Sequence, residues 1–321
     1  MKSSAFLTFM VMLVWSVADA RAMQDSETGI TLLASGIVHS ALYAIDAADD
    51  EVVAVGTAGR VVRSQDGGRT WAGNAVAGLE SIALLDVALS NGAAIGVGQL
   101  GKVVLRDGAD TWRIMSSGSE RRLLTVSLAA DGTAVAGGEF GTLLTSNDGG
   151  RNWTPVSPDW GSFNLELGIE PHVYDTHIAD SGEITVVGEL GLILQSRDGG
   201  RTWVERHRGD ASLLALDMRE DGTGYAVGQA GTVLKTEDAG GTWVLAARLD
   251  NVILLGVHST VDGRVLATGM RGMFESNDDG RSWRRITAGD VQTEWYQGVT
   301  VIDGATALAV GHAARIIRVG N

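Results

Sequence analysis

The stretch from Ser196 to Trp203, SRDGGRTW, combines residue types that bind ligands: a carboxylate, two guanidinium groups, adjacent glycines and an indole ring. Guanidinium groups pair with carboxylates or phosphates, and an indole face attracts cations. Alone, the octapeptide would indicate a small charged pocket. Six similar copies occur in the chain, however, and a site that is used once does not need six copies. We therefore predict that the octapeptide is a turn that every structural repeat must make.

Each copy has an aspartate at its third position and a tryptophan at its end. We expect the aspartate to hydrogen-bond the backbone of its own turn and the glycines to take positive φ. We expect the tryptophan to pack between repeats, because burying a large ring stabilises a fold by several kcal/mol. The residues with this predicted structural role are Asp66, Trp71, Asp107, Trp112, Asp148, Trp153, Asp198, Trp203, Asp238, Trp243, Asp278 and Trp283.

A second motif, G-x-x-G or a close variant, lies before each octapeptide and occurs once more near the end of the chain. Successive copies are separated by 42, 40, 50, 40, 41 and 42 residues. Repeats of this length with short alternating strands and turn residues are typical of propeller blades. The sequence therefore predicts an all-β protein, a single seven-bladed β-propeller of four-stranded antiparallel blades.

The two ends of the chain are expected to complete one blade. The seventh repeat stops at Asn321 after three strands, whereas residues 30–35 form a strand-like run that precedes the first repeat. Pairing this N-terminal strand with the C-terminal blade would close the ring and remove two exposed edges.

Residues 1–22 have the pattern of a secretory signal peptide: Lys2, an apolar run over 5–18, and small-x-small sites that end at Ala20 and Ala22. The apolar run is too short to span a bilayer comfortably. Since no cysteine follows it, lipoprotein attachment is excluded. We expect residues 23–321 to form an exported, periplasmic propeller domain, released by cleavage after Ala20 or Ala22.

Composition excludes several classes of partner. The chain has 39 acidic and 25 basic residues, a net charge of −14, which argues against binding nucleic acid. It has no cysteine, so stability must come from packing without disulfides. The histidines are scattered and each octapeptide offers one carboxylate, so we predict no metal site and no cofactor.

The connection between the third and fourth repeats, 154–167, interrupts the regularity. From Trp153 to Gly168, the glycine that opens the next repeat, the chain takes 15 residues, whereas it takes six or seven at 71–78, 112–118, 203–209 and 283–289. The connection holds Trp160 and Phe163 beside prolines, and exposed aromatic residues on a rigid scaffold are good anchors for a partner. A tolerated surface insertion is the alternative interpretation.

In a propeller this connection lies on the same face as the G-x-x-G turns, so that face is the candidate binding surface. The pair Arg121 and Arg122 suits a carboxylate or an acidic peptide. The residue after the first glycine is often Glu or Gln, although solvated turn residues would look the same. The candidate partner-binding residues are Arg121, Arg122, Trp160, Phe163, His172, Glu139, Glu189, Trp295 and His312.

The paired motifs, as in AVGTAGRVVRSQDGGRTW (54–71) and VGELGLILQSRDGGRTW (187–203), resemble the photosystem II stability and assembly factor family. The octapeptides are similar to the Asp-box of BNR-like repeats. The resemblance implies a bacterial seven-bladed propeller without catalytic activity. It also implies a scaffold that binds a membrane or exported protein through one face. We expect a monomer that is at most peripheral to a membrane.

The competing class is a glycan-binding or sialidase-like glycoside hydrolase propeller, because such proteins share Asp-boxes. Sialidases usually carry an Arg-Ile/Leu-Pro motif, and none of the three prolines completes one. Xyloglucan-cleaving endoglucanases need two propellers, and this chain has residues for one. Glycosidases need two carboxylates about 5–9.5 Å apart, and repeated turn positions such as Glu139 and Glu189 are a poor basis for that pair. We therefore predict that the protein is not an enzyme.

Overall fold

A computed structural model describes residues 29–107, 111–165, 168–303 and 306–320. Their strands form seven four-stranded antiparallel sheets, which confirms the predicted all-β, seven-bladed architecture. No helix in the described ranges is long and apolar enough to cross a membrane. The blades are numbered 1 to 7 in chain order, and within each blade the first strand is innermost.

The first described strand, β1 (Ile30–Ala34), belongs to the last blade, and blades 1 to 3 follow it in the chain. They contain β2 (Leu42–Ala48), β3 (Glu51–Gly56), β4 (Arg60–Ser64) and β5 (Ala72–Ala75); β6 (Leu84–Ser90), β7 (Ala93–Gly98), β8 (Lys102–Asp107) and β9 (Thr111–Ser116); and β10 (Leu123–Leu128), β11 (Ala134–Gly138), β12 (Leu143–Ser146) and β13 (Thr154–Pro155).

Blades 4 to 7 repeat the arrangement, and in blade 7 the fourth strand is β1. They contain β14 (Val173–Ile178), β15 (Ile184–Gly188), β16 (Ile193–Ser196) and β17 (Val204–His207); β18 (Leu213–Met218), β19 (Gly224–Gly228), β20 (Thr232–Thr236) and β21 (Val244–Arg248); β22 (Ile253–Ser259), β23 (Val265–Met270), β24 (Met273–Ser276) and β25 (Arg284–Arg285); and β26 (Tyr296–Val301), β27 (Thr306–Gly311) and β28 (Ile316–Gly320).

The ring is closed by the pairing of the first and last described strands. Strand β1 is antiparallel to β28, with Ile30 opposite Val319 and Leu32 opposite Ile317. The predicted closure is therefore confirmed. Ile30 also packs against the apolar cluster between blades 6 and 7, so β1 contributes both hydrogen bonds and core contacts.

The core consists of seven apolar clusters, each located where two neighbouring blades meet. In six of them an octapeptide tryptophan packs against the cluster. Trp71, for example, contacts the cluster that contains Leu42 of blade 1 and Leu308 of blade 7. Trp203 does the same between blades 3 and 4. The indole rings therefore lie where inter-blade packing requires them.

The octapeptides form the hairpins between the third and fourth strands. Asp148 accepts the backbone N–H groups of Arg151 and Asn152 at 3.0 and 2.9 Å. Asp66, Asp198, Asp238 and Asp278 accept equivalent bonds within their own hairpins. The side chain of Asn152 and these N–H groups lower the pKa of Asp148 to about 2. The side chain of Asp107 and residues 108–110 lie outside the described residues.

The five hairpins that are described in full also contact the preceding blade, as blade 3 illustrates. Trp153 donates its indole N–H to the carbonyl of Gly150 at 2.9 Å. Gly150 has φ of +81°, and a Cβ atom there would lie 2.8 Å from Cδ2 of Leu105 in blade 2. Glycine is therefore required both by the backbone conformation and by the close approach of the neighbouring blade.

Deletion of residues 23–35 is expected to unfold the domain, because it removes β1, exposes the edge of β28 and uncovers the cluster between blades 6 and 7. Thermal unfolding followed by circular dichroism measures the effect. Leu32→Ser is the control, because this side chain is 45% exposed in the same strand and its loss should leave the melting temperature nearly unchanged. An unaltered melting temperature in the deletion would contradict the closure.

Trp203→Ala is expected to lower the free energy of unfolding by about 3–5 kcal/mol, because it removes a large ring from an inter-blade cluster. The indole N–H also donates to the carbonyls of Gly200 and Val156 at 3.0 and 2.9 Å. Chemical denaturation measures the change, with Val204→Ala, an exposed neighbour, as control. Unchanged stability accompanied by loss of a binding activity would instead assign the octapeptide to a site.

Candidate functional site

The propeller has two different faces because its strands alternate in direction. One, the turn face, carries the connections between blades and the turns between second and third strands. These turns lie at 57–59, 99–101, 139–141, 189–191, 229–231, 271–272 and 312–315. The opposite one, the box face, carries the octapeptide hairpins. The candidate partner-binding residues all belong to the turn face.

Large exposed apolar side chains are concentrated on the turn face. Among the described residues, thirteen such side chains are exposed; five of them lie on outermost strands and one, Val261, lies on the box face. The remaining seven are on the turn face. They are Ile37, Val38, Leu100, Phe140, Ile169, Ile253 and Met270.

Phe140 is the most strongly positioned of these side chains. The residue is 52% exposed, yet its backbone N–H donates to Nδ1 of His172 at 3.0 Å. The His172 ring meets it edge-on at 5.0 Å between centroids, and the Arg121 guanidinium lies 5.5 Å from its centroid. The aromatic ring is therefore held in place while half of its surface remains accessible.

Five of the predicted residues meet around this ring, at blades 3 and 4. Arg121 lies 3.3 Å from Glu170, and Arg122 lies 3.5 Å from Glu139. The backbone N–H of His172 donates to Glu189 at 2.8 Å. Both arginines thus have a carboxylate of this chain beside them, so the predicted positive spot is locally neutralised.

The Glu and Gln side chains predicted to lie on the turn face also accept backbone hydrogen bonds. Glu139 and Glu189 accept the backbone N–H groups of Arg122 and His172, each at the entry to the innermost strand of its own blade. Gln99 and Gln229 do the same in blades 2 and 5, at 2.9 and 3.2 Å. These side chains cap strand ends as well as lining the turn face.

Trp295 and His312 form a separate cluster on blade 7. Trp295 stacks on Tyr43 of blade 1, with ring centroids 6.0 Å apart and an interplanar angle of 12°. His312 lies between two carboxylates, 2.9 Å from Asp290 and 3.4 Å from Glu294. The predicted residues therefore form two groups on the turn face, and no contact joins them in the described structure.

The prediction of an exposed aromatic anchor at Trp160 is wrong. The side chain is 7% exposed, and its indole N–H donates to the carbonyl of Gly141 at 3.2 Å. The connection folds back, so the indole fills the space beneath the turn of blade 3, where a Cβ on Gly141 would lie 2.1 Å from Nε1. Phe163, with its ring 6.1 Å from that of Trp160, is partly buried in the same cluster. Residues 166 and 167 lie outside the described residues.

Sequence reasoning missed Phe140 and Leu100, although a signal for them exists. Both occupy the third position of a G-x-x-G turn, where blades 1 and 5 have alanine. It also missed a set of acidic residues in the centre of the ring. That set has a weaker signal, because the aspartates occur at two different positions along the innermost strands.

The innermost strands surround a cavity of about 340 Å³ that contains four carboxylates and no lysine or arginine among its lining residues. Each carboxylate accepts a backbone N–H from the innermost strand of the next blade. Asp46 binds Leu89 at 2.7 Å, Asp86 binds Val126 at 2.7 Å, Asp175 binds Leu216 at 2.8 Å and Asp217 binds Ser259 at 2.8 Å. These bonds join neighbouring blades around the channel.

Burial raises the pKa of Asp46, Asp86 and Asp175, in the last case to about 6. The charge of Asp175 raises the pKa of Asp86 further. Burial lowers the pKa of His177, which also lines the cavity. Within the part of the chain described, no group of three or more acidic or histidine side chains is arranged to hold a metal ion.

Asp175 is expected to make stability depend on pH. Its pKa in the folded protein, about 6, is above its ordinary value of 3.8, so the folded state binds the proton more tightly. The resulting stabilisation is present below pH 4 and is lost as the pH rises through 6. Asp175→Thr, which copies the hydroxyl that blade 3 uses at Thr125 to accept the N–H of Thr176, should remove this part of the slope.

Melting temperatures between pH 4.5 and 8 measure the dependence. His177 and His258 face the same cavity and are present in both proteins. The difference in slope between the variant and the native protein therefore reports the contribution of Asp175. Equal slopes in the two proteins would contradict the assignment.

The fold and the hairpins define the class: a seven-bladed β-propeller with Asp-box repeats. A family model described as Photosynthesis system II assembly factor YCF48 matches residues 155–253, from β13 to the start of β22. No curated protein matches the sequence significantly.

Several solved structures share the fold. YCF48 from Cyanidioschyzon merolae is 17% identical with a TM-score of 0.71, over 91% of this chain and 98% of that one. A structure of YCF48 bound to D1 peptide is 16% identical, also with a TM-score of 0.71, over 91% and 97%. A GH74 xyloglucanase from Xanthomonas campestris is 16% identical with the same TM-score, over 90% of this chain and 53% of the enzyme. Such identities establish the fold alone. With the family match, the architecture supports a photosystem II assembly factor-like propeller with BNR repeats.

Proposed function

We propose that the protein is an exported, non-catalytic scaffold that binds an exported or membrane-embedded protein through its turn face. The observation that carries the proposal is the uneven distribution of exposed apolar side chains, with seven on the turn face against Val261 on the box face. Large exposed apolar side chains gathered on one face favour an interaction surface there. A protein partner fits this surface because the side chains project from rigid turns and connections.

The family match supports a protein partner over a small ligand. The matching model is described as an assembly factor, and the YCF48 in one similar structure is bound to a D1 peptide. By extension we infer that this chain, as a monomer, binds a segment of another protein during its assembly. A photosystem is the partner that the matching family suggests.

The absence of catalysis is part of the proposal. The turn-face carboxylates Glu139 and Glu189 accept backbone N–H groups at 3.3 and 2.8 Å, so both are already used to cap strands. The xyloglucanase similarity covers 53% of that enzyme and concerns the fold. These observations favour a binding protein over a glycoside hydrolase.

Export is proposed from the pattern of residues 1–22, which lie outside the described residues. Cleavage after Ala20 or Ala22 would leave β1 intact, because β1 begins at Ile30. The domain would thus retain its closing strand after processing.

Cell fractionation followed by cross-linked affinity capture of the mature, C-terminally tagged protein tests the proposal. We expect the protein in the envelope fraction and one partner recovered reproducibly. The triple variant Leu100→Ser/Ile169→Ser/Met270→Ser should recover much less partner, because it removes apolar contacts from the turn face alone. Deleting the 154–167 connection is unsuitable, since Trp160 is part of the core.

Val261→Ser is the matched control, because it removes an apolar side chain that is 80% exposed on the box face. All these variants should melt at nearly the native temperature, since the altered side chains are exposed. Equal recovery by the triple variant and the control would show that the turn face is not the binding surface.

A further inference from the structure

The turns of the turn face share a left-handed residue at the same position in all seven blades, with φ between +50° and +60°. A side chain is disfavoured in this conformation, and glycine is the residue that adopts it without cost. None of the seven is glycine. The residues are Ala58, Leu100, Phe140, Leu190, Ala230, Arg271 and Ala313.

Side-chain size at this position is uneven. Leu190 packs against an inter-blade cluster, but burial does not explain the size of the side chains at Leu100 and Phe140. Ala58, Ala230 and Ala313 have the smallest side chain, whereas Leu100 and Phe140 have large apolar ones that are 58% and 52% exposed. These two side chains therefore add exposed apolar surface at a backbone position where any side chain is unfavourable.

Leu100 and Phe140 are linked through neighbouring residues of the turn face. A Cβ atom on Gly101, next to Leu100, would lie 1.8 Å from the carbonyl oxygen of Ser119. The Ser119 hydroxyl accepts the backbone N–H of Arg121 at 3.1 Å, and Arg121 covers the Phe140 ring. Ile169 is exposed beside Glu170, the ion-pair partner of Arg121. We call Leu100, Phe140 and Ile169 the apolar arc.

Phe140 is suited to be the central contact of the arc. His172 holds its backbone N–H, and the His172 and Arg121 side chains pack against its ring. A side chain already fixed in this way loses little conformational entropy when a partner binds. Aromatic anchors of this kind dominate the energy of many interfaces.

The charges around the arc indicate the chemistry of the occupant. Arg121 and Arg122 are paired with carboxylates of this chain. On the connections beside the arc, the exposed side chains of Glu80 and Glu120 form no ion pair with another described residue, and the same holds for one partly exposed basic side chain, Lys102. With a net charge of −14 for the whole chain, a basic segment is the complementary partner.

The N-terminal segment of this chain is a poor occupant. Strand β1 runs from the box face to the turn face, so Gly29, the first described residue, lies on the side opposite the arc. A segment that precedes Gly29 would have to pass around the outside of the ring.

We propose that the apolar arc binds a peptide segment of the partner in which apolar side chains are flanked by lysine or arginine, with Phe140 as its central contact. The inference rests on the proposed function and specifies which part of the turn face is used and by what kind of segment.

The test uses fluorescein-labelled synthetic peptides that contain a leucine and a phenylalanine flanked by lysines, by serines or by glutamates. Fluorescence anisotropy with the mature protein should show the tightest binding for the lysine peptide and the weakest for the glutamate peptide. Phe140→Gly should weaken binding of the lysine peptide about tenfold or more, because it removes the anchor. Leu100→Gly should weaken it in the same direction.

Ala230→Gly is the matched control, because it makes the same change of backbone preference at the same turn position in blade 5. It should leave peptide binding unchanged. None of the three glycine variants should melt at a lower temperature than the native protein, because glycine adopts the left-handed conformation without the strain that a side chain causes. A large drop in the melting temperature of Phe140→Gly would show that the ring is retained for stability and would overturn the proposal.

Two further outcomes would also overturn it: equal binding of the three peptides, or equal binding by Phe140→Gly and Ala230→Gly. Cosedimentation with phosphatidylcholine vesicles that is lost in Phe140→Gly would assign the arc to a lipid surface instead. Failure of the arc is distinguishable from failure of the proposed function. In the first case the native protein and Phe140→Gly capture the same envelope partner, and in the second the native protein captures none.

Discussion

Contact between neighbouring innermost strands holds the ring together, and the rest of the structure depends on it. A side chain spans this contact at several interfaces, as where Asp86 of blade 2 accepts the N–H of Val126 in blade 3. Between blades 6 and 7 the backbones approach directly, since a Cβ on Gly256 would lie 2.0 Å from the carbonyl oxygen of Gln297. A single four-stranded blade has both of its faces exposed, so the apolar clusters between blades exist only in the assembled ring.

This constraint explains why the two faces can differ so much. The octapeptide hairpins support the outer part of six of the seven interfaces, and their described carboxylates accept N–H groups of their own backbone, as at Asp148. The box face therefore repeats closely from blade to blade. In blades 2 to 5 the turn face caps the innermost strands with Glu or Gln side chains that use part of each turn, and other turn positions differ from blade to blade. Phe140 and Leu100 occupy such positions.

The fold was predictable from the sequence because a repeated motif reports a repeated physical requirement. Six copies of one hairpin and seven turns were enough to infer seven blades and the role of β1. The site was less accessible, because single residues carry it and their exposure depends on tertiary contacts. Trp160 looked like an anchor beside prolines, but it fills the space beneath Gly141. The acids of the channel follow no single repeat position, so only the closed ring brings Asp86 and Asp175 together.

The pairing of β1 with β28 joins residues from opposite ends of the described chain, with Ile30 opposite Val319. Contacts between such distant segments form late and slowly, because a long loop must close first. During synthesis in chain order, β1 emerges before β28 and has to wait for it. The ring therefore closes only when the chain has been made as far as β28. A prematurely terminated product would keep an open strand edge and remain susceptible to proteases.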